Sequence, residues 1–369
     1  NYDDPDTYKM LGQGDTEGVF QLESSGMKQV LVGLQPQNLE DVIALISLYR
    51  PGPMDSIPTY LRNRHEPDKI SYKTPQLAHI LDVTNGCIVY QEQVMQIFRE
   101  LAGFSFGQAD NVRRAMSKKK HAVMEAEREH FVHGCTEPGH ECPGCVANGI
   151  PEQVANQIYD EMSSFASYAF NKSHAACYAY VAFQTAYLKC HYPSEFMAAL
   201  LTSVLDNTDK VIEYSGECAR LGIKVLPPDV NVSNGGFTAD GSGQIRFGLN
   251  AVKNVGRNLI ENVVKGRQNK PYTSLYDFCK RMHGNELNRR AVECLIKAGA
   301  FDHLGNNRHS HVEAVEGILK SIETDSRRNL DGQLDLFSVM SGEAQSGASE
   351  DNYEIKQLPE YSHKELLQQ

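Results

Sequence analysis

Apolar residues recur at helical spacing along most of the chain up to about residue 220. Between Asn38 and Tyr49, the positions Leu39, Val42, Ile43 and Ile46 mark one face of a helix. Asn38 is its N-cap, and Glu40 and Asp41 fall in the first turn, where carboxylates suit the positive end of the helix. The run Arg50–Pro53 stops it, because proline cannot continue the hydrogen-bond ladder. Val94, Ile97, Phe98 and Leu101 predict a second helix over about Gln91 to Ala102, closed by Gly103. A third is expected from Gln108 toward the lysines at 118–120, and a fourth over about Ala122 to His133. Pro151 opens a fifth, Glu152 to Met162. The most apolar run, Ala175 to Leu188, predicts a buried core helix that starts near Ser173 and ends before Pro193. Its fourteen residues are too few to span a bilayer. Ser194 restarts a helix through Leu205.

The pattern changes near Leu226. "LPPDVNVSNGGF" is rich in turn residues, and "QIRFGL" alternates like a short strand. Small helices are expected to about Ile322. From Asp325 the chain turns polar, and "SGEAQSGASEDN" has the composition of a disordered linker. The fold class expected is mainly α. A length of 369 residues exceeds one hydrophobic core and implies two or three domains. The opening residues carry neither an initiating Met nor an apolar signal region, so the chain is expected to start in mid-protein and to lack a secretory peptide. Nine Cys in such a chain indicate a reducing, cytoplasmic setting with free thiols or metal rather than a disulfide framework.

The formal net charge is -11, but it is uneven. Residues 321–369 hold four Lys/Arg against ten Asp/Glu, which gives -6 of the total. The remainder is only mildly acidic, so local basic patches remain competent to bind anions. One such patch is "DNVRRAMSKKKH", with Arg113, Arg114, Lys118, Lys119 and Lys120. The lysines suit a helix C-terminus facing solvent. Two adjacent guanidinium groups also suit bidentate contact with phosphate oxygens. A second patch sets Lys172, Ser173 and His174 at the head of the apolar helix. It reads either as a plain capping turn with Ser173 as the cap, or as a helix N-terminus whose free N–H groups and partial charge receive phosphate.

Several segments in this order resemble the bacterial DNA polymerase III alpha subunits, the C family of replicative polymerases. They are "GVFQLESSGM", "ALISLYRPGPM", "VYQEQVM", "NVRRAMSKKK", "FASYAFNKSHAACYAY", "LKCHYPSEFMAALL", "LPPDVN" and "LNRRAVECLIKAGAFD". The resemblance implies a helical fingers domain, then a helix-hairpin-helix domain with short strands, then a disordered acidic tail. The corresponding boundaries are residues 1–225, with a Cys-rich insert at about 130–148, then 226–322 and 323–369. It implies that Arg113 and Arg114 contact the triphosphate of an incoming dNTP, with Lys172, Ser173 and His174 near the same cleft and Lys118, Lys119 and Lys120 near DNA. It also implies primer-template DNA, a sliding clamp and other replicase subunits as partners, no membrane, and Mg2+ held by palm aspartates outside this chain. Nothing here matches the palm motif, and Asp3, Asp4 and Asp6 read as surface residues. The chain alone is therefore expected not to polymerise DNA. The alternative is a non-catalytic DNA- and clamp-binding module.

Three further stretches bear on function. "GLNAVKNVGRNLIENVVKG" reads as helix, hairpin, helix, with Asn254 in place of a first glycine, Gly256 as the second, and Lys253 and Arg257 flanking. It is either a DNA-phosphate contact or a structural hairpin. In the acidic tail, Gln333, Leu334, Asp335, Leu336 and Phe337 resemble the clamp-binding pentapeptide, with Leu336 and Phe337 as apolar anchors. Finally, "HFVHGCTEPGHECPGC" offers Cys135, His140, Cys142 and Cys145 as a tetrahedral set for structural Zn2+, or else free thiols in a loop. A zinc-dependent hydrolase is disfavoured, because no carboxylate stands beside an open metal position there.

Overall fold

Eighteen α-helices and one three-stranded sheet are formed by residues 2–117, 121–166, 170–330 and 353–366, the residues described by the computed structural model. The chain divides into two units, Asn1–His191 and Tyr192–Gln369. The mainly α class expected from the periodicity is what the chain adopts.

The first unit holds α1 (Pro5–Gly12), α2 (Ser25–Leu34), α3 (Leu39–Leu48), α4 (Ile57–His65), α5 (Ala78–Leu81), α6 (Gln91–Ala102), α7 (Phe106–Ser117), α8 (His121–His133), α9 (Gly144–Ala147), α10 (Glu152–Ala166) and α11 (Lys172–His191). The signals read in the sequence operate locally. Asn38 caps α3 by accepting from the Asp41 amide at 3.0 Å. Gly103 closes α6 in the left-handed conformation, at φ 74°. Two apolar clusters form. One gathers Val94, Ile97, Phe98 and Leu101 of α6 with residues of α7, α8 and α10. In the other, Ala175, Ala179, Ala182 and Ala186 of α11 join Val42, Ala44 and Leu45 of α3 and residues of α1 and α2. Small side chains on α11 allow the backbones to approach closely, which dispersion rewards.

α11 departs from the fully buried helix that its composition suggests. The alanine face, Phe183 and Lys189 are covered, whereas Tyr180, Val181 and Leu188 are exposed. Its cap also differs. Asn171, rather than Ser173, accepts from the His174 amide at 2.9 Å. Asn171 immediately precedes the first helical residue, the position from which a side chain can accept from the free amides of the first turn.

The second unit holds α12 (Pro193–Ser203), α13 (Thr208–Arg220), α14 (Arg257–Gly266), α15 (Leu275–Met282), α16 (Arg289–Lys297), α17 (Arg308–Leu330) and α18 (His363–Leu366), with β1 (Val225–Leu226), β2 (Thr238–Ala239) and β3 (Ile245–Arg246). The strand order is β1-β3-β2. β1 lies parallel to β3 with Val225 opposite Ile245, and β2 is antiparallel with Thr238 opposite Arg246. The strand expected in "QIRFGL" is the central one. α17 runs beyond the Ile322 limit read from the sequence, because Val315, Ile318 and Ile322 anchor its apolar face and the polar residues after them continue the helix.

The linker residues 341–352, expected to be disordered, lie outside the described residues. Within residues 353–366 the tail packs against the start of α17 and against α15. The Asn307 amide donates to the Leu358 carbonyl at 2.6 Å, the Leu358 N–H donates to Ser310 at 2.9 Å, and Tyr353 stacks on Tyr276. Polar composition hid this strap, since it docks through backbone groups and two tyrosines rather than through an apolar run. Among the described residues, no helix is long and apolar enough to cross a membrane.

Candidate nucleotide and nucleic-acid interface

Arg113 and Arg114 stand on α7, three and four residues after Asp110, the spacing at which helical side chains meet. The Oδ1 of Asp110 accepts from Arg113 Nε at 2.9 Å and from Nη2 at 2.7 Å, and its Oδ2 pairs with Arg114 Nε at 2.8 Å. Arg113 Nη1 donates to Gln91 Oε1 at 3.0 Å. The hydrogen bond from Arg113 is the main reason that the Asp110 carboxyl is held below the usual carboxylate range. One carboxylate against two guanidinium groups leaves one net positive charge. Asp110 holds both arginines by their Nε side, so Arg114, which is 65% exposed, keeps its terminal N–H fork toward solvent. That fork is the part of the side chain that matches phosphate geometry.

Gln91 ties this pair to the head of α11. Tyr90 and Phe170 form a parallel bridge, and the Gln91 N–H donates to the Phe170 carbonyl at 2.9 Å. The start of α6 therefore lies beside the start of α11. There the Glu92 carboxylate accepts from the Lys172 amide at 3.1 and 3.2 Å and from the Asn171 side chain at 3.0 Å. A carboxylate thus already sits at the amide-rich end of α11. Lys172 Nζ pairs with Glu40 at 3.0 Å and lies 5.3 Å from the Tyr90 ring centroid. Ser173 and His174 are exposed at the same helix end, and the His174 ring meets Phe170 and Tyr178. The Arg50 guanidinium lies 4.2 Å over Phe170, with its pKa pushed down by burial.

A cavity of about 480 Å³ opens between α6, α7 and the start of α11, lined by Gln91, Glu92, Arg99, Asp110, Arg113 and Asn171 among others. It joins Arg113 to the residue that caps α11. The sequence reading missed Asp110, Gln91 and Glu92. For Asp110 the signal was present in its i,i+3 and i,i+4 spacing to the two arginines. For Gln91 and Glu92 there was none, because their role depends on the Tyr90–Phe170 bridge across about eighty positions. Lys118, Lys119 and Lys120 lie outside the described residues, as do Gln333, Leu334, Asp335, Leu336 and Phe337.

In the second unit, the helical hairpin is less regular than its sequence suggests. Its first helix is a single 3-10 turn, Leu249–Ala251, and α14 is the second. Asn254 takes the left-handed conformation at φ 63°, which asparagine tolerates, so the turn forms without a glycine there. Gly256 is extended at φ -73° and precedes α14 without a side-chain cap. Lys253 is exposed, and Arg257 pairs with Asp206 at 2.8 Å.

The Cys-rich insert folds into a bridge followed by the short helix α9. Cys135 and Cys142 exchange two backbone hydrogen bonds of 2.9 Å across an antiparallel bridge, and Cys145 follows within α9. Burial pushes the Cys145 thiol up to about 12 and raises that of Cys142, whose Sγ donates to the His130 carbonyl at 3.5 Å. His140 is exposed. No three of these four side chains bring ligand atoms within 4.8 Å of one another. Asp3 and Asp6 are exposed as expected, whereas Asp4 is half-buried and structural. Asp4 accepts from Thr7 N at 2.8 Å and from Thr7 Oγ1 at 2.6 Å and pairs with His191, which together hold its carboxyl down to about 2.

Residues 1–139 match the family model of the bacterial DNA polymerase III alpha subunit finger domain, and residues 222–311 match that of the helix-hairpin-helix motif. The chain is 47% identical over 342 residues to the DNA polymerase III subunit alpha of Thermus aquaticus, 43% over 337 residues to that of Bacillus subtilis, and 42% over 349 residues to that of Escherichia coli. These alignments cover 91%, 91% and 92% of this chain, but 27%, 29% and 29% of the respective relatives. The chain belongs to the bacterial DNA polymerase III alpha subunit family, and it spans less than a third of the length of these relatives.

Proposed function

We propose that this chain is the part of a replicative DNA polymerase that contacts the incoming dNTP and the primer-template during template-directed synthesis. The observation that carries the proposal is the Arg113–Arg114 pair, held by Asp110 at a cavity shared with the head of α11. Phosphoryl transfer depends on positioning and on neutralising charge as it develops. The terminal N–H groups of Arg114 and the remaining ones of Arg113 bind triphosphate oxygens. Lys172, Ser173 and His174 supply further donors at the edge of the same site. Mg2+, held by carboxylates elsewhere in the polymerase, supplies Lewis-acid stabilisation of the reacting oxygens. The hairpin around Asn254 and Gly256, with Lys253 and Arg257, and the lysines 118–120 bind DNA phosphates without reading sequence. In the full polymerase, Arg114→Ala is expected to raise the KM for dNTP about tenfold while the primer-template Kd stays nearly constant. Equal losses in both would remove the nucleotide role.

Two finer features complete the proposal. The segment Gln333–Phe337 docks on the sliding clamp through Leu336 and Phe337. Titration of the clamp with this chain should give saturable binding that a Leu336→Ala, Phe337→Ala double variant loses, and an unaltered isotherm would end that assignment. A structural Zn2+ on Cys135, His140, Cys142 and Cys145 would require these side chains to close up from the arrangement described above, in which the backbone pairing opposes Cys135 to Cys142. Elemental analysis should find one zinc per chain, lost in Cys142→Ser; a metal-free wild type would contradict it.

A further inference from the structure

The cavity beside Arg113 has a feature that triphosphate binding leaves unused. Phe106, the first residue of α7, is 65% exposed. A reciprocal capping pair fixes it there: the Ser105 N–H donates to Gln108 Oε1 at 2.7 Å, and the Gln108 N–H donates to Ser105 Oγ at 3.3 Å. The ring is therefore presented by a well-formed helix start rather than by a loose loop. The Arg99 guanidinium lies 5.9 Å from its centroid, and Arg99 makes no ion pair among the described residues.

The three carboxylates around the cavity are otherwise engaged. Glu92 accepts from the head of α11, Glu100 pairs with His79 and accepts from Gln96 at 2.7 Å, and Asp110 holds both arginines. What remains open to a ligand is the aromatic face of Phe106 and the planar cation of Arg99. An exposed ring beside a planar cation, at the edge of a polar cavity, suits a flat heterocycle that stacks on both. Phosphate alone gains nothing from Phe106.

We propose that Phe106 and Arg99 form a stacking platform for an unpaired base of the single-stranded template, next to the triphosphate site at Arg113. The assignment rests on the polymerase reading above and adds a second ligand to it. Stacking of a base on an aromatic side chain is sequence-tolerant, because every base has a π-face, and arginine adds a cation–π contribution. The platform therefore holds the template strand without selecting its sequence.

The chain contains no Trp, so Phe106→Trp makes a single fluorescent reporter at the platform itself. The exposure of Phe106 makes the substitution compatible with folding. The variant chain is titrated with oligo-dT, with an abasic oligomer of equal phosphate count, and with dTTP, and binding is followed in parallel by the anisotropy of end-labelled oligomers. The expected result is saturable quenching by oligo-dT and none by the abasic oligomer or by dTTP at equal nucleotide concentration. Arg99→Ala in the same background should weaken the quenching titration, and Phe106→Ala should weaken oligo-dT binding about tenfold, the equivalent of one stacked base. Oligo-dT binding without quenching, or equal quenching by the abasic oligomer, would overturn the platform and leave the polymerase reading standing. Quenching by dTTP but not by oligo-dT would overturn the template assignment, because the base held would then belong to the incoming nucleotide. Failure to bind any oligomer would overturn both readings.

Discussion

Arg113→Ala is expected to lower kcat/KM for dNTP in the full polymerase by about 10²- to 10³-fold, the loss typical of removing one preorganised donor from a charge-stabilising site. The effect should exceed that of Arg114→Ala for a structural reason. Arg113 is half-buried, and its guanidinium links Asp110 on α7 to Gln91 on α6. Its loss removes the cation proposed to face phosphate, breaks the Arg113–Gln91 hydrogen bond, and leaves the Asp110 carboxylate paired with Arg114. Arg114 is mostly solvated, so its removal subtracts a charge without loosening the cavity. Steady-state kinetics at saturating primer-template measure the difference. Arg113→Lys should recover only part of the loss, since an ammonium cannot reproduce the fork that engages Asp110 and Gln91 together.

Phe98→Ala is expected to destabilise the first unit by about 3–5 kcal/mol, the usual cost of truncating a buried aromatic. Phe98 is fully buried and packs against Phe104, Phe131 and Tyr159 at centroid distances of 5.0 to 6.0 Å. Those rings lie after α6, on α8 and on α10, so one side chain ties α6, which carries Gln91 and Glu92, to α8 and α10. The cavity left by truncation has aromatic walls on several sides that cannot all collapse into it. Chemical denaturation should show a lower midpoint with an unchanged slope. A change below about 1 kcal/mol would mean that this cluster does not hold the fingers together.

Helix periodicity made α3, α6 and the helix restart at Ser194 legible, because each has a single apolar stripe and a local start or stop signal. α11 was legible as a helix but not in its environment. Its alanines bury well while Tyr180, Val181 and Leu188 stay exposed, and composition alone does not separate the two faces. The site was legible in its cations, because Arg113, Arg114 and Lys172 lie in short distinctive segments. Its acceptors were not. Glu92 and Gln91 gain their roles from a bridge between Tyr90 and Phe170, and such long-range pairing leaves no periodic trace. The strap from Tyr353 to Tyr361 escaped for a related reason, since it binds through backbone hydrogen bonds to Asn307 and Ser310.

The most direct test of the nucleotide site is photolabelling of the full polymerase with 8-azido-dATP in the presence of primer-template, followed by peptide mapping. The account predicts label in the peptides that contain residues 91–117 or 170–180, displaced by unmodified dATP and lost in Arg113→Ala. Displaceable label confined to other peptides would contradict it.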